Sequence, residues 1–254
     1  MMASDKAGGI YVGIGGWTYE PWRNNIFYPD KWPRAKELDY AGQHLTGIEI
    51  NGTFYSSQQP ASFIKWRDAV PDGFVFTVKA NRFCVNRRVL AEAGDSIARF
   101  AGQGLVELGP KLGPILWQLA ATKKFDAEDM AAFLALLPRQ QDGIALRHAI
   151  EPRHESFDDP AFFAMCRDAG VAVVYAEAEK YPRFAEQTAD FTYARIQCAR
   201  EDMEAGYSEA DLDRLADQAR AWAEGGRDVF LFFIAGAKVR NPAAAQALIG
   251  RLAG

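Results

Sequence analysis

A single parallel β/α barrel of eight strands is the fold class this sequence predicts, on three observations. Eight short apolar, β-branched runs recur along the chain, a helical stretch follows nearly every one, and polar residues gather where each run stops. Length agrees, because eight strand-helix units need about 250 residues and the chain has 254. The runs cover residues 10–15, 46–51, 74–80, 114–119, 144–151, 171–176, 191–197 and 229–234.

Helix punctuation supports the alternation. Asp126 caps a helix that carries acid in its first turn, a Phe125/Met130 staple, and Phe133, Leu134 and Leu137 as its apolar face. Asp159-Pro160 places a cap before a first-turn proline, with Phe162, Phe163, Met165 and Cys166 to bury. Ser208 and Asp211 form a capping-box pair ahead of Leu212, Leu215, Ala219 and Trp222, and Asn241-Pro242 starts a last helix through Leu252. Earlier helices are expected near residues 34–44, 60–69 and 95–108. There is no internal repeat, low-complexity tract or linker, so residues 10–254 read as one domain after a flexible leader at 1–9.

Composition excludes several classes. Of the residues, 49% are hydrophobic and 24% charged, and no apolar run approaches the roughly 20 residues of a membrane span. The leader contains Asp5 and Lys6 and lacks the apolar core of a signal peptide, so a cytoplasmic protein with no membrane association is expected. Cys84, Cys166 and Cys198 are odd in number and widely spaced, which disfavours a disulfide framework or a zinc site. A net charge of −4 disfavours coating of nucleic acid by bulk electrostatics but leaves room for a local basic pocket. P-loop, dinucleotide-binding, zincin and α/β-hydrolase motifs are absent, and no cofactor or metal is expected.

In such barrels the carboxyl ends of the strands carry the site, because their loops vary without disturbing the wall. Those ends supply Trp17, Tyr19 and Trp22; Glu49, Asn51, Phe54 and Tyr55; Lys79 and Arg82; Gln118; Glu151, Arg153 and His154; Glu177 and Glu179; Tyr193, Arg195 and Gln197; and Lys238. The segments Gly15-Gly-Trp17-x-Tyr19-x-x-Trp22, Glu49-Ile-Asn51-x-Thr53-Phe54-Tyr55, Phe74-x-Phe76-x-x-Lys79, Lys111-Leu-Gly113-Pro114-Ile-Leu-x-Gln118, Glu151-x-Arg153-His154-x-Ser156-Phe157 and Tyr193-x-Arg195 occur in this order across nearly the whole chain. Together they resemble the YecE-like proteins, the domain of unknown function 72. That resemblance implies a TIM-barrel-like fold and leaves the activity open.

The chain departs from the family pattern at three strand ends. Ala120-Ala121 replaces a proline-rich turn, Phe83-Cys84-Val85-Asn86 stands where Ile-Thr-His is usual, and Ile234-Ala235-Gly236-Ala237-Lys238 stands where asparagine is common. Neither a histidine after strand three nor an amide after strand eight is therefore expected to serve this protein.

Each candidate has a structural and a functional reading. Glu49 and Asn51, two apart on one strand face, suit an interior hydrogen-bond network or a ligand contact. Glu151 and Arg153 can pair with each other; a buried pair adds little stability, which favours function at a barrel mouth. Lys79 closes an apolar strand, where a lysine is costly unless it is paired or reaches a ligand. His154 is either a proton carrier or a hydrogen-bonding fixture, and the aromatics either stack a ring or pack the first loops over the mouth.

Three function classes are compatible with these residues. The first is an enzyme on an anionic, phosphorylated substrate, a hydrolase or lyase, with Lys79, Arg82, Arg153, Arg195 and Lys238 holding charge. Trp17, Tyr19, Asn51, Tyr55 and Gln118 would complete its binding surface, and Glu49, Glu151 or His154 its acid/base chemistry. The second is a nucleotide or nucleic-acid binder using the same cations for phosphates and the aromatics for bases. The third is a metal-dependent barrel hydrolase or isomerase, ranked last because only His154 with Glu49, Glu151 and Glu177 is available as ligands. The sequence carries no signal of oligomeric state.

Overall fold

The structure, a computed structural model, describes residues 8–254. Strands β1 (Ile10–Gly15), β2 (Gly47–Ile50), β3 (Val75–Lys79), β4 (Leu112–Gln118), β5 (His148–Glu151), β6 (Ala172–Val173), β7 (Tyr175–Glu177), β8 (Phe191–Ile196) and β9 (Asp228–Phe233) form one all-parallel sheet. In space the order is β6-β5-β4-β3-β2-β1-β9-β8-β7. β6 and β7 are two halves of the sixth expected run, interrupted at Val174. One half pairs with β5 and the other with β8, while Val174 donates its N–H to Ile150, so the sixth run closes the barrel.

Helices α1 (Glu37–His44), α2 (Pro60–Asp68), α3 (Gly94–Ala101), α4 (Ala127–Leu136), α5 (Pro160–Ala169), α6 (Glu209–Ala223) and α7 (Asn241–Ala253) follow the other strands. Among the described residues the sixth run alone has no helix after it; a loop over 178–190 leads to β8 instead. The expected caps form. Asp126 accepts from the Asp129 N–H at 3.0 Å, Asp159 from that of Ala161 at 2.8 Å, and Ser208 from that of Asp211 at 3.1 Å.

Two expectations need adjustment. Of residues 144–151, only 148–151 join the barrel. Ile144–Ala145 pairs antiparallel with Gln140–Gln141 around Asp142-Gly143, both at positive φ (48° and 79°), a primed hairpin turn. Of the expected leader, Met1 to Ala7 lie outside the described residues, and Gly9 is anchored: its N–H meets Asp228 Oδ1 at 3.0 Å and its carbonyl accepts from Val229.

Strand alternation sorts the side chains into two sets. Val12, Ile14, Ile48, Phe76, Val78, Ile115, Trp117, Ile150, Ala194, Leu231 and Phe233 point outward into the main core under the helices. Val75, Leu116, Ala149, Phe191, Phe230 and Phe232 point inward and fill the barrel. Close strand approach fixes small residues there: a Cβ on Gly13 would lie 1.7 Å from the carbonyl oxygen of Gly47, its partner in the β1–β2 ladder. The inward positions nearest the carboxyl ends are Glu49, Lys79, Gln118, Glu151 and Arg195, so the interior turns from apolar to ionised along its axis.

Candidate functional site at the barrel mouth

Arg195 on β8 organises the ionised layer. Its Nε and Nη2 donate to Glu49 at 3.1 and 3.2 Å, and its Nη1 donates to Glu151 at 2.6 Å. Both carboxylates are fully buried, and Arg195 is 2% exposed. Tyr193, one strand pleat below, donates its hydroxyl to Glu49 at 2.8 Å and lies 2.8 Å from Thr77 Oγ1. Three groups bond Glu151 besides its strand: Arg195, Gln118 Nε2 at 2.8 Å and Arg153 Nε at 2.9 Å. Buried charges are tolerated only when bonded to this degree.

The charges respond accordingly. Burial alone would raise the Glu151 carboxyl, but Arg195 and Arg153 outweigh it and hold the group below the usual carboxylate range. Burial opposes the charge of Arg195 as well, and the two glutamates reverse that and raise it. Tyr193 is pushed up by burial and then by Glu49. Glu151, Arg195 and Tyr193 thus form a floor fixed in one protonation state.

Lys79 stands apart on this floor. It is half-buried at the end of β3, its Nζ 2.9 Å from Gln118 Oε1 and 4.4 Å from the centroid of the Phe54 ring. Among the described residues it has no carboxylate within salt-bridge distance, and burial, followed by the neighbouring Arg195, lowers its pKa to about 8. Arg153 is also half-buried and lies over the Tyr181 ring at 4.2 Å.

A cavity of about 400 Å³ opens beside Arg153, walled by the loop after β7 and by the ends of β8 and β9. Lys180, Arg200 and Tyr181 line it with Glu179 as the one acid, and Gln197 also borders it. The Gln197 Nε2 is buried with no hydrogen-bond partner among the described residues, a donor left open where most are satisfied. Gly236 closes the wall at φ +56°, where a Cβ would meet the Ala199 N and Gln197 O at 2.8 Å. A larger groove of about 800 Å³ lies at the other end of the barrel, between α4 and α5. Two of its ionisable side chains are engaged elsewhere, His148 with Trp117 and the Pro138 carbonyl and Arg167 with Glu186, while Arg139 and Asp168 are exposed at its rim.

Hydrogen bonds therefore join six expected residues: Glu49, Lys79, Gln118, Glu151, Arg153 and Arg195. The others sit around them. Asn51 Nδ2 reaches the Glu49 carbonyl at 3.3 Å, and Tyr55 is 69% exposed against the edge of Phe54. Trp17 packs edge-on to Trp66, while Lys238 lies 4.4 Å from the centroid of the Tyr19 ring, its pKa lowered by burial. Arg82 is exposed over Phe83. His154 bonds the hydroxyl and N–H of Ser156 through Nδ1, at 3.0 and 3.1 Å, and so caps the turn after β5. No three His, Cys, Asp or Glu side chains cluster at metal-binding distance among the described residues. All three cysteines are free.

Thr77, Tyr181, Lys180 and Arg200 were not among the sequence candidates. Two-residue alternation from Lys79 back to Thr77 signals the first; the other three lie on loops, where no periodicity points at a site.

The comparisons agree with this architecture. The family model described as "Protein of unknown function DUF72" matches residues 11–254. UPF0759 protein YunF of Bacillus subtilis is 28% identical over 160 residues, 61% of this chain and 54% of that protein, so the match spans about half of its relative. A DUF72 family protein from Thermotoga maritima superposes with a TM-score of 0.76 at 22% identity, covering 96% of this chain and 98% of the other. One from Enterococcus faecalis gives 0.74 at 17%, covering 97% and 98%. These likenesses show the fold, and the motif resemblance is borne out: the chain belongs to the DUF72 family, a TIM-barrel-like family whose activity is not known.

Proposed function

We propose that the carboxyl end of this barrel binds a small anionic molecule, with a phosphorylated compound as the class the cations fit best. The cavity beside Arg153 carries this reading: Arg153, Lys180, Arg200 (itself paired with Asp202) and an open amide donor line a space of ligand size with Glu179 as its one acid. The inner layer is balanced apart from Arg153, with Lys79 and Arg195 against Glu49 and Glu151, so it leaves the positive excess of the cavity in place. An anion here would be met by charge-assisted donors in a half-desolvated site, although the protein as a whole is acidic.

Glu49 and Glu151 serve, in this reading, to position Arg195, Arg153 and Gln118. A carboxylate with its oxygens already accepting from guanidinium, amide or phenol donors is a poor proton carrier until those bonds break. Any chemistry on the bound molecule then falls to groups with free capacity at the mouth. Phosphate should raise the melting temperature at ionic strengths where chloride does not, and Arg153→Ala should abolish the difference. Equal shifts with both salts in the wild-type protein would refute the proposal.

A further inference from the structure

Among the described residues Lys79, Lys111, Lys123 and Lys238 are buried or half-buried. Lys123 pairs with Asp129 at 2.5 Å, and Lys238 lies over the Tyr19 and Trp22 rings. Lys111 and Lys79 belong to the barrel strands and their approaches, and their surroundings differ in kind. Lys111 donates to the carbonyls of Arg67 and Val70 at 2.8 and 2.6 Å and has Asp72 at 3.8 Å. That is how a structural lysine is satisfied: every donor direction meets an oxygen. Lys79 has one acceptor among the described residues, the Gln118 Oε1, and it is neutral. The Gln118 amide cannot turn to offer anything else, because its Nε2 is held by Glu151, which is itself held by Arg195 and Arg153. On another side Lys79 meets the Phe54 ring, and the residue stays partly exposed at the end of its strand. The surroundings pin the amine in place with no carboxylate at salt-bridge distance, Glu49 and Glu151 acting on it only from further away.

We infer that Lys79 forms a Schiff base with the carbonyl carbon of a small anionic aldehyde or 2-oxo acid held at the barrel mouth. This inference rests on the anion-binding reading above and names the class of molecule that would use it. A lysine that is desolvated and placed beside another cation is the usual design of an amine nucleophile, and the burial that lowers Lys79 supplies neutral amine near physiological pH. Nζ attacks the carbonyl carbon as the C–O π bond breaks; one amine proton passes to that oxygen, giving a carbinolamine. A second proton, taken from solvent at the mouth, lets the oxygen leave as water and leaves a protonated iminium, so no oxidant or reductant is consumed. The anionic end of the molecule would face Arg153, which Glu151 and Gln118 bridge to Lys79.

Borohydride trapping of the wild-type protein tests this. Glyoxylate or pyruvate followed by reduction should add, at Lys79, the mass of the substrate acid less one oxygen atom, located by peptide mapping. Phosphate should protect Lys79, exposed lysines away from the cavity such as Lys65 should be labelled far less, and Lys79→Arg should lose the label. If Lys79 is labelled no more than surface lysines while phosphate still raises the melting temperature, the Schiff-base inference fails and the anion reading stands. If neither labelling nor the phosphate shift occurs, both fail. Labelling of Lys79 by neutral propionaldehyde as readily as by glyoxylate, without phosphate protection, would also overturn the inference, because the anion would then play no part.

Discussion

Replacing Arg195 by methionine is the perturbation with the largest predicted effect on the barrel. Three hydrogen bonds disappear, and Glu49 is left with Tyr193 as its side-chain donor while Glu151 keeps Gln118 and Arg153. Removing one partner from a buried ion pair costs about 3–5 kcal/mol. In a domain of this size each kcal/mol shifts the midpoint by roughly 2–4 °C, so a fall of about 6–20 °C is expected at pH 7. Circular dichroism melts measure it directly.

The pH dependence identifies the cause. In the wild-type protein Glu151 is depressed, so its contribution is present above the unfolded carboxylate value and is lost as pH falls through its folded value. In the variant Glu151 loses Arg195, the charge that does most to depress it, so less stability is lost through it as the pH drops. The gap between the proteins should therefore narrow from pH 7 toward about 4.3, the unfolded glutamate value. A fall of less than about 3 °C at pH 7, or a gap that stays constant into the acid range, would refute the view that Arg195 neutralises two buried charges.

Further outcomes follow from the same geometry. Tyr193→Phe deletes the hydroxyl between Thr77 and Glu49, and a bond to a charged acceptor is worth about 1.5–3 kcal/mol, so urea denaturation should show a loss in that range, smaller than for Arg195→Met. Gly13→Ala drives a methyl into the Gly47 carbonyl and should cost roughly 1–3 kcal/mol or more by the same assay; a neutral result would mean that the β1–β2 contact is looser than described. Lys79 has a folded pKa of about 8, below its ordinary value, so stability should rise with pH from about 8 toward 10.4 as the unfolded chain holds the extra proton. Lys79→Met should remove that rise and be the more stable protein below pH 8; identical pH slopes for the two proteins would contradict the burial of the amine.

Most of the barrel was legible because strand burial leaves a local signature: apolar runs two residues in period, bounded by caps such as Asp126, Asp159 and Ser208. The run at 144–151 misled because Ile144 is as apolar as Ile150, yet Asp142-Gly143 turns the chain there and leaves Ile144 38% exposed. The break at Val174 depends on which neighbour each half pairs with, which no local pattern encodes. At the site, Glu49, Lys79, Glu151 and Arg195 were readable as charges that close strands. Their convergence at one end of the barrel follows from the fold, but which charge bonds which does not, since Arg195 lies 146 residues from Glu49 and 44 from Glu151. His154 shows the limit of residue type as a signal: its ring caps the turn after β5 through Ser156.

Anomalous diffraction from crystals soaked in tungstate, a phosphate analogue with a strong scattering signal, tests the central claim most directly. The account predicts one dominant site at the carboxyl end of the barrel, in the cavity between Arg153, Gln197 and Gly236, that Arg153→Ala eliminates. Tungstate bound only at exposed surface arginines, with that cavity empty in the wild-type protein, would contradict it.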